Sequence, residues 1–260
     1  MNNKPNNKQK LWKKIGIWLI TLASIQTVAA ANWSSTNVQL LHGSGYQLGE
    51  DQRTIFTFEH ANTWSHGDNF FFLDVTEPSS HGTTFYSEFS PRFSLSKLSG
   101  KKISVGIIKD TFIATGVEMG KDLHSRLLGL GTSFNVKGFS YANINLYIHE
   151  STRDWVTEDT GLGGQVNVNW ALPFSIQHFS NKQSKWVFEG HFDYSFKEKK
   201  GSHPKANNLN AAPRLLLDVG NFVQTPGQIL AGIEYQLWRN KFGIDGVNEN
   251  IAQFMVKWVF

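Results

Sequence analysis

The sequence contains no cysteine and only three methionines in 260 residues. The first absence excludes disulfides, thiolate metal sites and a cysteine nucleophile together. Charge of one sign is also scarce once position is considered. There are 25 Lys and Arg against 21 Asp and Glu, but Lys4, Lys8, Lys10, Lys13 and Lys14 all precede residue 32, where no acid occurs. The remainder is close to neutral, so the basic balance belongs to the N-terminal segment and provides no basic face for nucleic acid. The nine histidines are scattered without an H-E-x-x-H, and no sequence motif points to a metal or a cofactor. Past the N-terminal segment, the longest uncharged stretch, Thr160 to Asn181, is broken by Gln165, Asn167, Asn169 and Pro173. A helix there would turn polar side chains to lipid, so the chain after residue 31 is either soluble or crosses a membrane by strands.

The N-terminal segment has three parts. A Lys-rich start runs to Lys14, an apolar stretch follows from Ile15 to Ile25, and Val28-Ala-Ala-Ala31 supplies small residues for cleavage. This pattern predicts a secretory signal peptide over 1–30, cut near Ala30/Ala31, and a mature chain of 31–260. The apolar stretch is too short for a spanning helix.

Alternation dominates what remains. In Trp186–Phe196, one face carries Trp186, Phe188, Gly190, Phe192, Tyr194 and Phe196; the other carries Val187, Glu189, His191, Asp193 and Ser195. Such a strand has one apolar and one wet side. Similar segments suggest about twelve strands, an even number that suits a closed antiparallel transmembrane barrel. They fall near 34–42, 54–60, 69–75, 83–95, 103–111, 123–136, 142–149, 165–173, 185–197, 213–220, 229–238 and 251–260. Odd connections, such as Phe112–Asp122 and Glu150–Gly164, read as longer and more polar than most even ones, as expected of outer loops against periplasmic turns. Phe174–Ser184 is the long exception among the even connections. The last strand places Ala252, Phe254, Val256, Trp258 and Phe260 on one face, opposite Gln253, Met255, Lys257 and Val259. An aromatic final residue on such a strand favours lipid outside and a wet lumen inside, with Phe260 a signal to the barrel-assembly machinery. These features predict an integral protein of the outer membrane.

Glu88-Phe-Ser-Pro-Arg-Phe-Ser-Leu-Ser-Lys-Leu-Ser-Gly100 resembles the E-x-x-P-R-x-S strand of the Tsx/OmpK family of nucleoside-specific outer-membrane channels. Ile103-Ser-Val-Gly106 is similar to the strand start that follows it there, with Ile107 in place of the family's proline. Gly129-Leu-Gly-Thr132, Asn145-Leu-Tyr147, Asp154-Trp155, Trp170–Phe174 and Phe192–Phe196 follow in family order. The resemblance covers about residues 54 to 200 plus the terminal strand; the first strand and last two loops show little that matches. It implies a twelve-stranded barrel, passive and selective diffusion of nucleosides, and service as a phage attachment site.

Candidate solute-binding residues follow from the wet faces: Phe70, Phe72, Asp74, Glu88, Arg92, Glu189, His191, Asp193, Arg214 and Glu234. Aromatic faces would stack a base and ionisable groups would bond sugar hydroxyls. Phe70 and Phe72 are unusual, because Phe71, Leu73 and Val75 already supply an apolar face; a one-residue slip would exchange the two sets. The charged residues could equally brace the lumen wall. Two other classes are open: a structural or receptor barrel with a filled lumen, and an outer-membrane esterase using His178 and Ser180 of His178-Phe-Ser-Asn181. A serine nucleophile would need a base and an orienting group; no acid is clearly paired with this one, and the expectation is a channel with no enzymatic activity.

Overall fold

The computed structural model describes residues 31–79, 82–121, 123–153, 162–178, 183–198 and 205–260. The expected signal peptide therefore lies outside the described residues.

Twelve antiparallel strands close into a barrel. They are β1 (Trp33–Ser44), β2 (Gln52–Trp64), β3 (Gly67–Ser79), β4 (Gly82–Ser94), β5 (Ile108–Gly120), β6 (Leu123–Phe134), β7 (Tyr141–Arg153), β8 (Leu162–Gln177), β9 (Gln183–Phe196), β10 (Asn208–Ala211 and Arg214–Asp218), β11 (Ile229–Arg239) and β12 (Glu249–Val259). Each pairs with the next, and β12 returns to β1 with Val259 opposite Asn37 and Phe254 opposite His42. Closure leaves no free sheet edge, which a strand-built protein in lipid requires. β10 is interrupted at Pro213, which has no N–H to give the ladder. The chain bridges the gap through Ala212 N to His191 O and Tyr235 N to Pro213 O.

The two faces are sorted in the reverse of a soluble protein. Asn37, Gln39, Thr57, Gln253 and Lys257 are buried, whereas Leu40, Phe56, Phe254 and Trp258, which alternate with them, are exposed. Polar side chains line the inside and apolar ones face outward, as in a barrel surrounded by lipid. A small apolar cluster of Leu41, Leu216, Leu230 and Met255 sits inside the barrel beside the polar lining.

Two expectations need correction. The strand expected near 103–111 is Ile108–Gly120, and the expected connection Phe112–Asp122 is mostly strand. Ile103, Val105 and Ile107 do alternate, but Gly100 and Gly106 take positive φ (67° and 58°) and turn the chain instead. Between them and β4 runs one short helix, α1 (Leu95–Ser99), capped by Ser94 Oγ accepting from Lys97 N. The exception Phe174–Ser184 also disappears, because β8 continues through Gln177 and β9 begins at Gln183.

Candidate functional site

Strand alternation and ladder register decide which side chains share the lumen. Asp74 lies opposite buried Thr57 and opposite Tyr86; Phe72 lies opposite Glu59 and Glu88; Phe70 lies opposite Ala61 and Ser90. Thr57 Oγ1 donates to Asp74 Oδ1 at 2.5 Å. Phe70, Phe72 and Asp74 thus share the lumen face with Glu88 and Arg92, while Phe71, Leu73 and Val75 face outward. The Phe70 and Phe72 rings are 5.9 Å apart, and Phe72 is 5.7 Å from Tyr86.

On the other side of the barrel, Arg214 from β10 is the hub of a charged cluster. Its Nε donates to Glu234 Oε2 at 2.6 Å, and its Nη1 lies 3.6 Å from Glu59 and 3.7 Å from Glu189. Lys257 Nζ donates to Glu189 Oε1 at 2.8 Å and lies 3.7 Å from Glu59. Asn37 Nδ2 and Gln39 Nε2 donate to Glu59 at 2.9 and 3.3 Å. Glu59 stands on β2 and Arg214 on β10, so the ion pair joins strands that are not neighbours in the sheet. Glu189, Arg214 and Glu234, chosen from the sequence, are brought together here. Glu59 and Lys257 complete the cluster and were not anticipated from the sequence.

At the outer end the cluster continues upward. Gln253 Nε2 donates to Glu234 Oε1 at 2.8 Å, and Tyr46 Oη donates to Gln253 Oε1 at 2.5 Å. Tyr46 belongs to the β1–β2 connection (45–51), which folds in over this wall. Arg53 lies 4.2 Å over its ring. Burial pushes the Tyr46 hydroxyl well above the ordinary tyrosine range, so it remains a donor. The same connection meets the β11–β12 connection through Asn248 N, which donates to Gln47 Oε1 at 3.0 Å, and the start of β12 through Gln47 N, which donates to Glu249 Oε1 at 3.0 Å; Lys241 Nζ donates to Glu249 Oε2 at 2.6 Å.

Arg92 is held elsewhere. Its Nε and Nη2 donate to the two oxygens of Asp68, both at 2.8 Å, in a bidentate pair. Its guanidinium lies 4.4 Å over the Phe112 ring and reaches Asn145 and Ser133 at 3.4 Å. That reach is possible because Ala114 and Gly131 leave the floor between β4 and β7 low. Gly129 is required for a different reason: a Cβ there would sit 1.8 Å from Leu146 O. Glu88 is not Arg92's partner; it accepts from Ser90 Oγ at 2.5 Å and has Glu118 directly across on β5.

An amide ladder runs from β7 to β9: Asn143 donates to Asn169 (2.7 Å), Asn145 and Asn169 donate to Asn167 (2.8 and 2.9 Å), and Asn167 donates to Asp193 (2.9 Å). His191 lies 4.0 Å from Asp193, and its side chain is 34% exposed against 15% for Arg214. His191 is thus more exposed to the lumen than Arg214, whereas Asn143 and Asn145 of the same ladder are buried.

His178 lies outside this lining. Its Nε2 is 2.9 Å from Ser184 Oγ, to which Trp186 Nε1 also donates at 2.8 Å. Ser180, the serine of the esterase-like motif, lies outside the described residues.

A model of the family described as "Nucleoside-specific channel-forming protein, Tsx" matches residues 28–250. The match extends through β1, where the sequence offered no recognisable motif. One curated relative, outer membrane protein OmpK of Vibrio parahaemolyticus, is 29% identical over 115 residues, 43% of this chain and 40% of its own length. OmpK of V. parahaemolyticus serotype O3:K6 (strain RIMD 2210633) is 30% identical over 129 residues, 45% of each. The matched segment thus spans less than half the length of either relative. Among solved structures, the KdgM porin, alone and in complex with disordered oligogalacturonate, is similar with TM-scores of 0.46 and 0.47 at 9% identity, covering 86% of this chain and 99% of the porin.

Proposed function

Because this chain belongs to the family of nucleoside-specific channel-forming proteins, Tsx, we propose that it is a passive channel of the outer membrane whose lumen admits nucleosides. The observation that carries the reading is the aromatic pair Phe70 and Phe72, with Tyr86 beside it, on a face shared with Asp74 and Glu88. Lumen-facing aromatics have no lipid to meet. In a water-filled passage they offer a π-face to any base, whatever its edge. The neighbouring carboxylates accept hydrogen bonds from ribose hydroxyls and exocyclic amines. Asn167, Asn169, His191 and Asp193 offer donors and acceptors on the facing wall. No contact on this path is strong alone, which suits a site that must release as readily as it binds. Arg92 and Arg214 act in this reading as wall braces, since both are already bonded to carboxylates.

The test is conductance of the refolded mature chain in a planar bilayer. Small open steps that adenosine blocks, and that a sugar of similar size does not, support nucleoside selection. Steps indifferent to adenosine leave a general small-solute pore. No conductance from a folded barrel overturns the channel reading.

A further inference from the structure

The two ends of the barrel differ in charge. At the end that carries the β1 start and the even connections, the exposed charged side chains among the described residues are lysines: Lys97, Lys101, Lys102, Lys109, Lys137 and Lys185. The acids at that end are turned inward and used. Asp110 accepts from Ser94 Oγ (2.5 Å) and Ser96 Oγ (2.7 Å), Asp218 accepts from Asn221 N and Gly227 N (both 3.0 Å), and Asp68 holds Arg92. The odd connections at the other end mix signs, with Glu50, Asp51 and Asp245 among Lys121 and Arg239.

Four of these six lysines flank or lie within one segment, the β4–β5 connection at 95–107. That segment also presents Leu98, Ile103, Val105 and Ile107 to the outside; Val105 is 75% exposed and Ile107 64%. Lys97 Nζ is spent on Trp64 O at 2.6 Å and Gly67 O at 3.2 Å, which pins α1 to the β2–β3 turn. Lys101, Lys102 and Lys109 make no ion pair among the described residues. Ile107 lies just before β5, where the register shifts at Ile108–Asp110; Lys109 and Thr111 stand between this apolar patch and the exposed Ile113 and Val117 of β5.

Aliphatic side chains this exposed are costly in water and common at a bilayer boundary. Unpaired lysines beside them add attraction to anionic headgroups, about fivefold in association per lysine near a charged surface. We propose that the β4–β5 connection is an interfacial anchor, seated among anionic phospholipid headgroups of the periplasmic leaflet. Leu98, Ile103, Val105 and Ile107 enter the headgroup–acyl boundary, and Lys101, Lys102 and Lys109 hold the phosphates. The anchor sets the depth of the barrel and keeps the Trp33 end at the interface. The inference needs the outer-membrane placement and is independent of what the lumen conducts.

The absence of cysteine allows a single label. Val105→Cys in the full mature chain, carrying an environment-sensitive fluorophore, is refolded into phosphatidylcholine vesicles with and without phosphatidylglycerol. Asp245→Cys serves as the control at the opposite end. Folding is verified by heat-modifiable gel mobility, and iodide is supplied on both sides of the bilayer. With phosphatidylglycerol, the label at 105 is expected to emit to the blue and to be shielded from iodide severalfold more than the label at 245. Lys101→Gln with Lys102→Gln and Lys109→Gln, or high salt, should return most of that shielding to the level without phosphatidylglycerol. A label at 105 as accessible as that at 245 in both vesicles overturns the anchor. Equal shielding with and without phosphatidylglycerol overturns the recognition of anionic lipid. Shielding that arises only when peptidoglycan fragments are added replaces the lipid with another partner and also overturns the proposal.

Discussion

Along β10 to β12, and across to β1 and β2, the lumen wall is closed by its own charges. Arg214 and Lys257 are surrounded by Glu59, Glu189 and Glu234, and Leu41, Leu216, Leu230 and Met255 fill the space beside them. Along β3 to β5, β7 and β8, and on β9 beyond Glu189, the wall is built differently. Arg92 has its own carboxylate, but Asp74, Glu88 and Glu118 make no ion pair among the described residues, and the amides bond mainly to the next strand. Carboxylates and arginines occur on both walls, so composition does not separate them. The difference is whether a charge finds its partner across the barrel. Where it does, the wall is braced and shut; where it does not, polar capacity remains for a solute.

Removing the brace should have the largest effect. Arg214→Ala leaves Glu59, Glu189 and Glu234 crowded around a single lysine in a poorly solvated cluster. Breaking a buried charge pair from one side costs about 3–5 kcal/mol. Denaturant unfolding of the refolded barrel should show a loss of that size, and an unchanged midpoint would mean that the cluster braces nothing. Next is the floor between the walls. Gly129→Ala places a methyl 1.8 Å from Leu146 O, and because that carbonyl is backbone and cannot swing aside the strands must part. The expected cost is at the upper end of the ~1–3 kcal/mol typical of overpacking, read as reduced folding yield in detergent.

The solute path comes third. Phe70→Ala with Phe72→Ala should weaken block by adenosine about tenfold, on the scale of one lost base–aromatic stack, and leave gel mobility of the folded form unchanged. If the double change abolishes folding instead, these rings are packing elements and the solute runs elsewhere. The smallest effect belongs to the mouth. Tyr46→Phe removes one hydroxyl that donates to Gln253 and should cost about 1 kcal/mol, detectable as a small fall in the unfolding midpoint.

Much of this was legible in the alternation. The barrel, the strand number, the lipid face of the last strand and the wet face of β9 all follow from side chains two residues apart. The register of β3 was legible only as a pair of alternatives, because Phe70–Phe72 and Phe71–Leu73–Val75 are equally apolar. The ladder decides it, since Asp74 must share a face with buried Thr57. β5 was misplaced because its lumen face is Phe112, Ala114, Gly116 and Glu118: small residues in a wet lumen do not read as polar, and the apolar residues before them alternate just as well. Glu59, Lys257 and Asp68 were missed for another reason. A cross-lumen partner is fixed by strand order and stagger, and nothing local to Glu59 points to Arg214, which is far along the chain. Lys257 did leave a signal, as the lone cation of the final strand, on its inner face beside Gln253 and Met255.

In the proposed channel, solute passes along the wall carrying Phe72 and Glu88 and not through the Arg214 cluster. The most direct test uses the cysteine-free background. Ser90→Cys, beside Glu88 and Phe70, and Gln253→Cys, within the braced cluster, are each treated with a positively charged thiosulfonate during single-channel recording. Rapid loss of current is expected at residue 90 and none at residue 253. Rapid modification at 253 with no effect at 90 would contradict this path, and would move the passage to the other wall.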